Sequence, residues 1–304
     1  MNAIPRSVTQ PGKPAAQRIE SIAGEAAVLE LSLTAGLNLR DAIVRPLLQA
    51  GLTAATVRIE QLEVQSLHYV RPAAAADDRH AAFYSEPHAI AGPIRIALAC
   101  VTVGRRDDAP FVHCHAIWQM PDGAWQGGHV FADQVVVGAT ARAQAWGVAN
   151  AVMQADYDEE TNFTLFHPIP AALPVSPASF GTAVGTDREL SGGTCIVARI
   201  RPNQDLIGGI EAVCRTHGIR KARICGSVGS IIGARFADGS RVDDRETEIL
   251  VLEGSVRDDG NGPRAELTVA LIDPRGDIHR GDLLPGENPV LICFELVLHA
   301  SAAH

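Results

Sequence analysis

The feature that most constrains this chain is that much of it is written twice. Asn38 to Gly51 and Asp205 to Gly218 span identical separations. Each stretch opens on a residue suited to capping a helix and closes on a glycine suited to a left-handed C-terminus. Between them Leu39, Ile43 and Leu47 recur at helical spacing, with Val44 and Leu48 beside them, and Leu206 and Ile210 repeat the pattern. Each helix follows an alternating apolar run, Leu29, Leu31, Leu33 in one copy and Ile196, Ala198, Ile200 in the other. Each is followed by a second strand, GLTAATVRIEQLEV or GIRKARICGSVGS. A later register continues the match. IALACVTV (96–103) falls on ILVLEGSV (249–256), and HAIWQMPDGAWQGGHV (115–130) falls on TVALIDPRGDIHRGDL (268–283). Pro121, Gly123 and Gly128 then meet Pro274, Gly276 and Gly281. Matched order over this length implies two related domains in one chain of 304 residues.

The repeat sets the boundaries. Residues 1–22 read as a flexible polar arm, with Pro5, Pro11 and Pro14 and no apolar segment of the signal-peptide kind. The first domain spans 23–169, a Pro-, Gly- and Ser-rich linker spans 170–193, and the second domain spans 194–304. The first copy carries an extra stretch, RPAAAADDRHAAFYSEPHAIAGP, containing His80, Tyr84 and His88. It reads as a mobile surface loop, with a lid over a site as the alternative. The first copy also ends in an acidic run, Asp156 to Glu160, which reads as a solvated turn and not as a metal cluster.

No apolar run is long enough to span a bilayer. Six cysteines form no Cys-x-x-Cys pair and lie mostly in apolar runs, as buried thiols of a reducing cytoplasm do. A net charge of −9 and a pI near 5.6 suit a phosphate backbone poorly.

The chemistry concentrates in Phe111 to Phe131. Side chains alternate along a strand, so His113 and His115 share a face and Cys114 takes the other. Pro121-Asp122-Gly123 is a turn signal, and the returning strand brings His129 back beside the pair. Three imidazoles on one face with an open fourth position suit zinc. A hydrogen-bonded histidine strand without metal is the competing reading. In the second copy Glu266, Thr268 and Asp282 stand opposite His113, His115 and His129. Loss of all three together is what a retired site on a kept scaffold looks like, and His279 there has no partner.

Each copy resembles a PPC domain, the plants-and-prokaryotes-conserved domain, which in plants accompanies AT-hook motifs. The resemblance rests on the capped helices ending at Gly51 and Gly218, on ETEILVLEGSV (246–256), and on the H-x-H…P-D-G…G-G-H block of 113–129. It rests also on DYDEETNFTLF (156–166), which resembles the ending of bacterial single-domain members, and it covers about 27–168 and 194–299. It implies an α+β fold of two tandem domains, each a curved, mostly antiparallel sheet with packed helices. It further implies trimeric assembly and a metal, zinc first among divalent transition ions, held by His113, His115 and His129 near a subunit boundary. Bacterial members often bear a DNA-binding label, but this sequence has no Arg-Gly-Arg-Pro hook.

The block also resembles the three-histidine zinc site of acetolactate decarboxylase. That likeness suggests a lyase or hydrolase acting on a small oxo-acid, a role needing an acid–base group and a carboxylate binder. Glu60, Arg58 and Arg95 lie on predicted strands of the first copy, but their spacing does not select them. Three readings follow: a cytoplasmic metal-binding protein with one three-histidine site and a possible small-molecule ligand, a DNA-associated regulator, and a homo-oligomerisation module without chemistry.

Overall fold

A computed structural model of the chain describes residues 6–171, 186–189 and 192–301. The first half runs β1 (Ile19–Glu25), β2 (Ala27–Leu33), α1 (Leu39–Gln49), β3 (Ala54–Val70), β4 (Pro72–Ala73), β5 (Phe83–Tyr84), β6 (His88–Arg106), β7 (Ala109–Gln119), β8 (Trp125–Val130), β9 (Ala141–Val148), β10 (Ala151–Tyr157) and β11 (Thr164–Pro170). The second runs β12 (Thr186–Glu189), β13 (Gly193–Ile200), α2 (Leu206–Thr216), β14 (Lys221–Ile224), β15 (Val228–Arg235), β16 (Arg241–Asp258), β17 (Pro263–Ile272), β18 (Ile278–Asp282) and β19 (Val290–Ser301).

The expected α+β label fits only loosely. Among the described residues there are two helices of 11 residues each, and the rest of the regular structure is strand. The expected curved antiparallel sheets are there. β3 pairs with both β6 and β8, so β3, β6, β7 and β8 close on themselves. β14, β16, β15 and β19 close the same way in the second half.

The repeated helix grammar forms as read. Asn38 accepts from the Asp41 amide and Asp205 from the Gly208 amide, each at 2.8 Å, satisfying a donor the first turn leaves free. Gly51 and Gly218 follow the helices with φ of 75° and 67°, where a Cβ would be strained. α1 buries Leu39, Ile43 and Leu47 among Leu29, Leu31 and Leu33, and α2 buries Leu206, Ile210 and Val213 among Ile196, Ala198 and Ile200. Each half therefore has its own core.

The halves also share apolar contacts. Leu98, Cys100 and Ile117 pack with Val228, Leu250, Ala270 and Ile272, and Trp146 and Val148 pack with Cys195, Val197 and Val297. The strands preceding each half cross over. β1 pairs with β13 of the second sheet, and β12 pairs with β2 of the first.

This crossing revises the expected boundaries. Residues 19–22 of the presumed arm belong to a strand, and residues before them are held by named bonds: Gln10 to the Leu291 carbonyl and Arg18 to both oxygens of Glu160. Residues 1–5 lie outside the described residues. So does most of the expected linker, apart from the stretch that becomes β12.

The acidic run is only half solvated: Asp156 and Glu159 are exposed, but Asp158 and Glu160 turn inward. Asp158 and Glu160 are 6% and 3% exposed. They meet Arg199, Arg201 and Arg18 at 2.7–3.0 Å, and Glu20 of β1 joins the same network. Burial raises the Asp158 carboxyl, but Arg199 and Arg201 outweigh it and hold it below the usual carboxylate range. A sequence window cannot show this, because Arg199 and Arg201 come from the other half and Arg18 from the far N-terminal segment.

All six cysteines are buried free thiols. No helix among the described residues is long and apolar enough to cross a membrane.

Candidate metal centre

β7 and β8 form the hairpin read from the sequence, with Gly123 at φ 89° donating back to the Met120 carbonyl. The register sets His115 directly opposite His129. His113 lies two positions along on the same face, and Cys114 turns into the core. Two glycines let β8 approach closely. A Cβ on Gly128 would stand 2.5 Å from the Val70 carbonyl oxygen, and one on Gly127 would stand 2.8 Å from Ile272 and Ile278. β8 therefore reaches β3 and the second half together, and His129 is fixed between them.

The three rings converge. One ligand nitrogen from each of His113, His115 and His129 lies within 4.8 Å of the others. The Nε2 atoms of His113 and His115 are 3.0 Å apart. A tetrahedral ion with bonds of about 2.0–2.1 Å spaces its donors about 3.3 Å apart.

The tautomers follow from the partners. His115 Nδ1 sits 3.0 Å from the Ile249 carbonyl, which only accepts, so that nitrogen carries the proton. His113 Nδ1 sits 2.9 Å from Glu295 Oε1 and donates to it. Both Nε2 atoms are thus left to face each other, and something positive must lie between them. A proton on His113 serves in the metal-free protein, and a cation serves all three rings at once. Burial pulls the His115 and His129 imidazoles well below their ordinary value, so both are in the neutral, ligating form. Burial would lower His113 as well, but Glu295 outweighs it and raises that imidazole.

The second half is no bystander. Glu248 of β16 lies with Oε1 3.5 Å from His115 Nε2, and Glu295 of β19 holds His113. Both carboxylates are buried, and one oxygen of each has no hydrogen-bond partner. Burial pushes the Glu248 carboxyl up to about 8, with His113 pulling back down. The reading of the second copy as simply retired is therefore incomplete. Its own hairpin has lost the ligands, with Thr268 opposite Asp282 in register and bonded to it. Yet its Glu248 and Glu295 border the histidines of the first half. Sequence reasoning missed both glutamates, because nothing local marks them.

The insertion between β3 and β6 is built rather than loose. β4 and β5 pair, and the Tyr84 ring stands edge-on to His129 at 5.2 Å between centroids. With Phe83, Phe163, Leu165, Leu291 and Cys293 it walls a cavity of about 60 Å³ beside His113 and His115. His80 and His88 do not join the site: His80 contacts the Asn162 carbonyl, and His88 stacks on Tyr69. Nor do the other candidates. Arg58 binds the Val251 and Leu252 carbonyls and pairs with Glu60, and exposed Arg95 faces Glu63 across the sheet. His279 has a partner after all, Asp273 at 3.1 Å.

Comparison with known proteins agrees in part with the sequence reading. Residues 187–301 match the family model described as the Plants and Prokaryotes Conserved (PCC) domain. Among solved structures, a metal-containing protein from Archaeoglobus fulgidus is similar at 20% identity and a TM-score of 0.37, over 49% of this chain and 98% of that one. A plant- and prokaryote-conserved protein from Pyrococcus horikoshii is similar at 14% identity and a TM-score of 0.36, over 52% of this chain and 100% of that one. A candidate DNA-binding protein from Ralstonia eutropha is similar at 13% identity and a TM-score of 0.34, over 46% of this chain and 90% of that one. No curated protein matches.

Proposed function

We propose that residues 187–301, which match the Plants and Prokaryotes Conserved domain model, and residues 27–168, their diverged twin, together bind one divalent transition ion, zinc first, at their boundary. The observation that carries this reading is the 3.0 Å approach of two Nε2 atoms whose ring partners already occupy both Nδ1 positions. Charge points the same way. Two buried carboxylates from the second half border the site, and no Lys or Arg lines the adjoining cavity. Glu295 is already paired with His113, and burial favours the protonated form of Glu248, so an ion beside Glu248 would supply the charge that lets it ionise.

His113, His115 and His129 would hold the ion, with Glu295 and the Ile249 carbonyl orienting two of the rings. Such an ion supplies Lewis acidity and lowers the pKa of bound water. An oxo-acid substrate finds less support, since among the described residues no Lys or Arg lines the cavity to bind its carboxylate beside the ion. The DNA-associated and purely assembling roles rest on no feature of this site.

Elemental analysis of untagged protein should find one metal equivalent per chain, and His129→Ala should remove it. Metal-free wild-type protein that also refuses added zinc would sink the reading.

A further inference from the structure

Resting on that metal reading, we propose that Glu248 supplies the fourth donor, so that the ion is enclosed by side chains of both halves and works as a rivet between them rather than as an open catalytic centre.

The argument turns on which nitrogen each carboxylate faces. Glu295 faces Nδ1 of His113, the ring atom pointing away from the convergence point, and so can only orient the ring. Glu248 faces Nε2 of His115, the atom that points inward, at 3.5 Å. That distance is close to the donor–donor edge of about 3.3 Å for a tetrahedral zinc site. The second Glu248 oxygen is buried without a partner, so no competing bond fixes the carboxylate elsewhere.

Tyr84 covers His129 from the insertion, and the cavity of about 60 Å³ beside His113 and His115 still has room for a few waters, so closure of the site rests on the fourth donor and not on lack of space. The three histidines come from β7 and β8 of one half, and Glu248 approaches them from β16 of the other. Four protein donors mark structural zinc sites, whereas catalytic ones keep a position for water or substrate.

Cobalt(II) substituted into the full-length protein reports this directly, through its visible absorption. In wild type, azide should leave the cobalt bands unchanged, because no position is open. In Glu248→Ala, azide should shift them. Glu248→Gln, which keeps the side-chain volume, should weaken zinc binding by more than about 100-fold, beyond the range for an outer partner. Glu295→Gln should weaken it within that range and leave the cobalt bands insensitive to azide. Azide-sensitive wild-type bands, or a Glu248→Gln protein with wild-type zinc affinity, would overturn the proposal while leaving the three-histidine site standing. A wild-type protein that takes up neither zinc nor cobalt would remove both.

Discussion

His113 owes its orientation to a residue 182 positions away. Glu295→Gln keeps the shape of that contact but removes its charge, and zinc affinity should fall about 10- to 100-fold, read by competition with a chelating dye. Gly128 acts by being small. Gly128→Ala puts a methyl against the Val70 carbonyl at 2.5 Å. It should destabilise the fold by about 1–3 kcal/mol in urea unfolding and weaken metal binding, because the backbone that moves carries His129. At this scale the histidines were legible and the glutamates were not. Strand alternation and one turn signal predict where His113, His115 and His129 point. Glu248 and Glu295 sit in ordinary strand sequence, and only packing between halves gives them a role.

The two helices test whether equal grammar means equal energy. Asn38→Ala removes one capping bond and should cost about 1 kcal/mol. Asp205 caps Gly208 and also accepts from the Asn288 amide at 3.0 Å. Asp205→Ala should therefore cost about 2 kcal/mol, seen as a larger fall in urea midpoint at unchanged slope. Helices, turns and the strands between them could be placed from sequence because caps, positive-φ glycines and apolar periodicity are local. β1, β4 and β5 could not. Each is short or weakly patterned, and each is held by a partner strand rather than by its own propensity.

For the molecule as a whole, the network of Arg18, Arg199 and Arg201 with Glu20, Asp158 and Glu160 joins the first half's tail and N-terminal segment to β13 of the second half and the residue after it. Asp158 and Glu20 are held below their ordinary values despite burial. A carboxylate depressed on folding contributes stability that is present above its unfolded pKa of about 4 and lost as pH falls through its folded value. Stability should therefore drop in that acid window. Asp158→Asn should flatten the drop while lowering stability at neutral pH by about 3–5 kcal/mol, since it leaves two buried arginines short of a partner. Thermal unfolding across pH reads both effects. The net charge of −9 argues that duplex DNA will show no salt-sensitive retention at low ionic strength, a point a filter-binding series checks.

The sequence by itself determined the duplication, the capped helix of each copy and the hairpin that gathers three imidazoles, because each is set by contacts within a few residues or across one turn. Tertiary structure alone decided that β1 and β12 cross between sheets, that Asp158 and Glu160 of the acidic run are buried, and that Glu248 and Glu295 of the second half border the histidines of the first. Those features depend on which surfaces meet when two folded halves pack. No local pattern encodes the partner of a charge that lies far along the chain, whether 41 residues away for Asp158 and Arg199 or 182 for His113 and Glu295.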